Sequence, residues 1–265
     1  MKKYKLIAFD VDGTILNEQH QVCPELKNTV AKLQQQGYLF TLATARMPIS
    51  ALRIATELGL DHQNVIITLN GGLITNQQKE IIHTNKFDSQ ILHHNLNQLP
   101  KEISRNYYVD FEWFVEHKTS YTQQESSYSD VIYQEIHNNK ALSEVNKITL
   151  IADNNLLQQA KILLNNQESL FVGFSHPNHL EILNKNISKY SALVQYANLN
   201  NISTDAIIAF GDGENDIPML QHVGLGVAMG NADEHVKSVA KDVTLRNDEA
   251  GVHKYLEKLI KAGVL

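Results

Sequence analysis

Two short acidic segments have the residue types and spacing to build a charged, cation-binding site. Asp10-Val11-Asp12-Gly13-Thr14 sets two carboxylates two residues apart, directly after an apolar run. On an extended chain such residues point to the same side, so both face one site. Gly13 permits the sharp exit turn that a side chain would hinder. Gly211-Asp212-Gly213-Glu214-Asn215-Asp216 follows a second apolar run, with Asp212 at its end and Asp216 four residues on, where a helix should begin. Each segment alone has a plain reading, the first as a turn and the second as acidic capping of a helix N-terminus. Two such clusters at the same edge of one sheet point instead to a site. Unit charges roughly 4 Å apart repel by about 4 kcal/mol at an effective dielectric near 20, so several carboxylates and a phosphate dianion cannot share a site without a cation. An all-oxygen donor set with no local Cys or His favours magnesium (Mg2+) over zinc. The 12 histidines are scattered, and His93-His94 has no ligand spacing, so they read as surface or packing residues.

Four apolar runs position these groups. Lys5 to Phe9 ends at Asp10, Tyr38 to Ala43 at Thr44, Val65 to Leu69 at Asn70, and Ala206 to Phe210 at Gly211-Asp212. Continuous runs rich in β-branched residues read as strands buried on both faces, hence a parallel sheet. Between them lie helical patterns, Pro24 to Gln36 stopped by Gly37 and Pro48 to Leu58 stopped by Gly59. The alternation predicts a doubly wound α/β fold, in which ligands bind beyond the carboxyl ends of the strands. Each of the four runs delivers a polar residue to that edge.

From Thr84 to Asn186 the texture changes. Asn and Gln become frequent, and strand-like stretches (Asn106 to Glu116, Lys147 to Ala152) alternate with a helical one (Asn154 to Asn165). This reads as an α+β insertion, residues 84–186, in a core formed by residues 1–83 and 187–265. A helix beginning near Ile187 leads back to the Ala206 strand.

The bulk properties narrow the partners. With 23 Lys and Arg against 29 Asp and Glu, the net charge of −6 argues against nucleic acid or an anionic membrane as partner. Cys23 is the one cysteine, so no intrachain disulfide forms, which fits a reducing compartment. The basic start of MKKYKLIAFD is followed by too short an apolar run for a signal peptide. No stretch approaches the roughly 18 apolar residues of a membrane span. A cytoplasmic protein, a monomer or weak homodimer, is the expectation.

The segments Asp10 to Thr14, Thr44-Ala45-Arg46, Lys189 and Gly211 to Asp216 resemble the four motifs of the haloacid dehalogenase-like hydrolases. The specific resemblance is to the Cof-like phosphatases, which carry a large α+β (type IIB) cap between motifs II and III. Asn70-Gly71-Gly72, the stretch Val223 to Ala232 and the tail Asn247 to Val252 match as well, so the resemblance spans nearly the whole chain. It implies a magnesium-dependent phosphatase acting on phosphate monoesters of small metabolites such as sugar phosphates, flavin mononucleotide or pyridoxal phosphate. Asp10 would be the nucleophile, and Asp12 the acid and then the base. The metal would be held by the Asp10 carboxylate, the Asp12 carbonyl and Asp212, with Asp216 in support. Thr44, the Val11 and Ala45 backbone, Lys189 and Asn215 would hold the phosphoryl oxygens. Asn70 and Gly71 are candidates to face substrate; Arg46 would either do so or brace the cap. Tyr107, Tyr108, Phe111 and Trp113 would stack on a substrate ring or pack the cap. Two departures stand out: Ala45 and Tyr190 occupy positions where the family usually has glycine, which would set larger groups near the phosphate. The alternatives are a phosphotransferase or phosphomutase on the same scaffold, and a non-catalytic phosphate-binding relative.

Overall fold

The computed structural model describes residues 3–136 and 142–265. The chain opens with three parallel strands, β1 (Leu6–Phe9), β2 (Leu39–Ala43) and β3 (Val65–Thr68), joined by helices α1 (Pro24–Gln35) and α2 (Pro48–Leu58). Proline opens both helices, and α2 stops at Gly59 with a φ of 77°. Strand alternation explains the absence of a polar face. Ile7 and Phe9 enter a core layer with Phe40, Phe210 and residues of α1 and α2, while Leu6 and Ala8 enter a second layer on the opposite side. Two antiparallel strands, β4 (Leu73–Asn76) and β5 (Ile81–Thr84), extend the sheet beyond the parallel arrangement expected from sequence.

The insertion follows: β6 (Phe87–Asp88), α3 (His93–Gln98), β7 (Ser104–Val109), β8 (Glu112–Val115), α4 (Ser120–Ser129), β9 (Gln134–Glu135), β10 (Glu144–Val145), β11 (Lys147–Ile151), α5 (Asn154–Leu164), β12 (Leu170–His176) and β13 (His179–Asn184). Six of these strands form one sheet in the order β12-β13-β11-β7-β8-β9, antiparallel except at β8–β9. Its two faces differ. Ile148, Leu150, Leu180 and Ile182 pack with Leu96, Leu157 and Leu164 into a core of their own. The alternate residues Lys147, Thr149, His179 and Glu181 belong to the other face, as period-2 geometry requires, and line a cavity against the first sheet. The strand-like stretch Asn106 to Glu116 is a hairpin, because Asp110 at a φ of 52° turns the chain.

The return leg comprises α6 (Lys189–Leu199), β14 (Ile207–Gly211), α7 (Ile217–His222), β15 (Leu225–Ala228), α8 (Glu234–Val239), β16 (Asp242–Val243) and α9 (Gly251–Lys261). The large sheet has the order β16-β15-β14-β1-β2-β3-β4-β5. Chain order reverses about β1, so β14 and β2 flank it, in register at Phe9↔Phe210 and Phe9↔Leu42. The crevice at such a reversal is where open α/β sheets bind ligands, and Asp10 and Asp212 both emerge there. Among the described residues no helix is long and apolar enough to cross a membrane.

Candidate active site

Asp10 leaves β1 with its backbone N–H bonded to the Phe210 carbonyl at 2.9 Å, which fixes it beside β14. The residue is only 5% exposed. Lys189 Nζ donates to Asp10 Oδ1 at 2.6 Å and to Asp216 Oδ1 at 2.7 Å, a fully buried cation between two buried carboxylates. The other Asp216 oxygen accepts from the backbone N–H groups of Asp212 (3.1 Å) and Gly213 (3.0 Å), so Asp216 braces the turn after β14. Thr14 Oγ1 bridges Asp10 Oδ2 (3.4 Å) and Asp212 Oδ1 (3.2 Å). The Val11–Ile15 turn brings Gly13 so close that a Cβ there would lie 2.2 Å from Asp212 Oδ2, and its φ is 73°. Glycine is required at this point on both counts. Asn231 ties the turn down, donating to the Gly13 carbonyl at 2.9 Å and to Asp212 Oδ2 at 3.2 Å. Asn247 in turn holds Asn231 Oδ1 at 3.0 Å and the Leu16 carbonyl at 2.8 Å. Those two asparagines lie within the family-like stretches of the sequence but were given no role there.

Carboxylate oxygens of Asp10, Asp212 and Asp216 lie within 4.8 Å of one another. Burial, then the nearby Asp216 charge, push the Asp10 carboxyl well above the ordinary carboxylate range despite Lys189. Burial and Asp216 likewise push Asp212 up to about 6. The donors are all hard oxygens and their charge is undercompensated, so the residues present fit a magnesium ion. A consequence follows for stability. A carboxyl whose folded value lies above its unfolded one favours unfolding as the pH rises, here from about 4 through about 6 for Asp212. A divalent cation bound to the ionised carboxylates should reverse this. Magnesium should therefore raise the melting temperature more at pH about 7.5 than at pH about 5. Thermal melts with and without the ion at both pH values check this, and equal shifts would place the metal away from these carboxylates.

Motif II forms a second wall. Thr44 is buried, its N–H bonded to the Ile67 carbonyl at 3.0 Å and its carbonyl to the Asn70 N–H at 3.0 Å, and its hydroxyl accepts from the Arg46 N–H at 3.1 Å. Arg46 is turned onto Asp12: Nε donates to Oδ2 at 2.7 Å and Nη2 to Oδ1 at 2.5 Å. From α4 in the insertion, the Tyr128 hydroxyl donates to Asp12 Oδ1 at 3.0 Å and accepts from Arg46 Nη2 at 2.8 Å. Burial works to raise the Asp12 carboxyl, but the bonds and charge of Arg46, with the Tyr128 hydroxyl, hold it below the ordinary value.

A cavity of about 700 Å³ joins the two halves, lined by Asp10, Asp12, Thr44, Ala45, Arg46, Lys189, Asp212 and Asn215 from the large sheet. Val11 is buried and is not among the residues that line it. Asn70 and Gly71 also stand behind the cavity wall. Asn70 links Glu181 to Asn215, accepting from Asn215 Nδ2 at 2.9 Å. Gly71, at a φ of 100°, presses on helix α6, where a Cβ would sit 2.3 Å from the Ser188 carbonyl oxygen. Tyr190 packs beside His222, ring centroids 5.3 Å apart, and is absent from the lining, so the expectation that it crowds the phosphate does not hold. Helical spacing explains this, since Lys189 and Tyr190 are about 100° apart around α6.

The insertion supplies Tyr108, Glu125, Tyr128, Lys147, His179 and Glu181 to the opposite wall. Lys147 Nζ donates to Glu181 Oε1 at 2.9 Å and to the Ala45 carbonyl at 2.8 Å, a buried pair that reaches motif II from the insertion. Of the four aromatic residues considered for ring stacking, Tyr108 lines the cavity. Trp113 is 1% exposed and stacks on Tyr108, Tyr107 bonds Glu116 within the insertion core, and Phe111 packs against the main core. Tyr128 was missed because α4 is polar around its whole circumference and offers no apolar stripe; its signal is the Thr119/Thr122 capping box.

The sequence pattern of the haloacid dehalogenase-like hydrolases matches residues 7–256. A Haemophilus influenzae protein is 33% identical to this chain, with 96% of this chain and 98% of the relative covered. A Bacillus subtilis relative, 5-amino-6-(5-phospho-D-ribitylamino)uracil phosphatase YcsE, is 28% identical over 94% of this chain and 93% of its own length. Among solved structures, a haloacid dehalogenase-like hydrolase from Bacteroides thetaiotaomicron superimposes with a TM-score of 0.86 at 29% identity, covering 97% of this chain and 100% of that one. With its acidic cluster at the sheet reversal and an α+β insertion facing it, this chain belongs to the haloacid dehalogenase-like hydrolases and is a phosphatase among them, a phosphoric monoester hydrolase.

Proposed function

We propose that the chain hydrolyses phosphate monoesters of sugar, flavin mononucleotide or pyridoxal type through an aspartyl-phosphate on Asp10. The observation that carries this reading is the Asp10 carboxylate held between Lys189 (2.6 Å) and Thr14 (3.4 Å) at the reversal of the sheet. One Asp10 oxygen bonds to phosphorus as the ester P–O bond breaks, and Asp12 delivers a proton to the departing oxygen. Asp12 then takes a proton from water as that water attacks phosphorus and frees Asp10. Lys189, the Thr44 hydroxyl, Asn215 and the Val11 and Ala45 N–H groups stabilise the charge spread over the phosphoryl oxygens. Magnesium, held by the Asp10 and Asp212 carboxylates and the Asp12 carbonyl with Asp216 behind them, would supply charge neutralisation at the phosphoryl group.

Asp12 must hold a proton to act as an acid, and its pairing with Arg46 and Tyr128 opposes that. Because Tyr128 comes from α4, the position of the insertion sets what Asp12 meets. This supports residues 84–186 acting as a cap that closes over substrate and contributes specificity. Arg46, which lines the cavity and bonds Tyr128, would brace the cap, the second of the two roles weighed for it. A cytoplasmic setting and a monomer or weak homodimer complete the proposal.

The test is release of inorganic phosphate from a panel of phosphorylated metabolites with magnesium and no other acceptor. Turnover should be lost in EDTA and regained on adding the metal. Full activity in metal-free buffer would remove the metal from the mechanism, and phosphate transfer only when a sugar acceptor is added would turn the enzyme into a phosphotransferase.

A further inference from the structure

The charges around the cavity restrict what the phosphate can be attached to. Among the described lining residues, carboxylates outnumber lysine and arginine side chains two to one. Each of those cations is already engaged: Lys189 by Asp10 and Asp216, Arg46 by Asp12, and Lys147 by Glu181. The Lys147 pairing is buried, with both side chains 5% exposed, so solvent does not loosen it. Glu18 and Glu125 line the same cavity, and among the described residues no lysine or arginine pairs with either. The ionisable partner of Glu125 is His179, its Nε2 at 3.7 Å.

This matters because a phosphate monoester brings two negative charges of its own, which Lys189 and the metal must meet. Beyond the phosphate, the insertion wall presents Glu125 and Glu181 carboxylates, the Ser175 hydroxyl, the Tyr108 ring and two imidazoles. Carboxylates accept hydrogen bonds from hydroxyls and amines and repel other anions. The third proton of Lys147 can still meet a neutral oxygen, since two of its donors are spent on Glu181 and the Ala45 carbonyl. On the insertion wall, a second phosphate or a carboxylate would have to break the buried Lys147–Glu181 pair to reach the ammonium there.

We propose that the insertion wall selects leaving groups that are neutral and hydroxyl-bearing or that carry an amine, and rejects those with a second anionic group. The inference deepens the phosphatase reading, and it says which monoesters that site takes. Specificity of this kind is a difference of affinities produced by a repulsive element as much as by an attractive one. Glu125 is the element to remove, because it faces the cavity from α4 without a permanent cation beside it.

Binding can be measured apart from turnover. Titration calorimetry of the Asp10→Asn protein in magnesium would compare two matched pairs. The first pair is sorbitol 6-phosphate and 6-phosphogluconate, open chains that differ in a terminal hydroxyl or carboxylate. The second is glucosamine 6-phosphate and glucose 6-phosphate. Sorbitol 6-phosphate should bind at least about tenfold more tightly than the acid, a difference of about 1.4 kcal/mol. Glucosamine 6-phosphate should bind at least as tightly as glucose 6-phosphate. Adding Glu125→Gln should narrow both differences. Equal affinity within the first pair, tighter binding of the acid, no binding of any of the four, or a gap that Glu125→Gln leaves unchanged would each overturn the proposal. Phosphate release by the unsubstituted enzyme is read separately. Its absence alongside the expected binding order would overturn the hydrolytic reading and leave the charge selection standing.

Discussion

Asp10→Asn should abolish turnover, lowering kcat by at least about four orders of magnitude, the scale seen when a covalent nucleophile is removed. The amide is nearly isosteric, so the fold should persist, but it is a poor nucleophile and a weaker metal ligand. Stability should move the other way. Burial and the Asp216 charge raise the Asp10 carboxyl, so above the ordinary carboxylate range its ionisation works against the folded state. An amide carries no such charge, and Lys189 keeps Asp216 as a partner at 2.7 Å. In EDTA near pH 7 the variant should therefore melt no lower than the wild type while remaining inactive. Rapid acid quenching with radiolabelled substrate supplies the third readout: a phosphorylated protein forms with the wild type and not with the variant. Residual activity within about tenfold of wild type, or a phosphoenzyme in the variant, would take the nucleophilic role from Asp10.

How far the site was legible follows from where its signals lie in the chain. The strand ends at Asp10, Thr44 and Asp212 were readable because strands buried on both faces are continuous apolar runs, and their polar termini fall on one edge. The extra strands β4 and β5 were not, since Leu73–Asn76 and Ile81–Thr84 lie outside the parallel repeat of strand and helix. The polar face of the inserted sheet was missed for a different reason. Lys147, Thr149 and Glu181 alternate with Ile148, Leu150 and Ile182 as a solvated strand would, and sequence does not say that the wet-looking face is buried against another sheet. Asn70 illustrates the same limit: its position at a strand end pointed to substrate, whereas its side chain links Glu181 to Asn215 behind the wall. Residue type and strand position identify what converges on an edge; which partner each side chain meets depends on contacts far apart in the chain, such as Lys189 with Asp10 across 179 positions.

Lys189→Met should be the most damaging substitution for catalysis and stability together. The lysine is 2% exposed and its ammonium is the counter-charge for Asp10, 5% exposed, and Asp216, fully buried. Methionine nearly matches its length, so packing changes little and the effect is electrostatic. Removing one partner of a buried ion pair costs about 3–5 kcal/mol, because the charge left behind has been desolvated for nothing. For a chain of this size that corresponds to a fall in melting temperature of about 10 °C in EDTA near neutral pH. The sign of the pH dependence is fixed. Lys189 pulls the Asp10 carboxyl down against burial, so its loss raises that carboxyl further. The folded state then suffers as the pH rises above the ordinary carboxylate value, and the difference from wild type should shrink on acidification, when the carboxyls are protonated in both proteins. Magnesium should restore part of the melting temperature, since the cation supplies some of the lost charge at Asp10. It should not restore turnover if Lys189 donates to the phosphoryl oxygens as proposed: kcat/KM should fall at least about a thousandfold, the upper range for removing one preorganised donor. Lys189→Arg separates charge from shape, since a guanidinium keeps the charge but presents a planar fork where two carboxylates converge on one nitrogen. It should recover more stability than activity. A Lys189→Met protein that melts with the wild type in EDTA would mean that Lys189 is not the counter-charge the buried site needs, and one that retains kcat/KM within about tenfold would mean that the phosphate is bound by other groups.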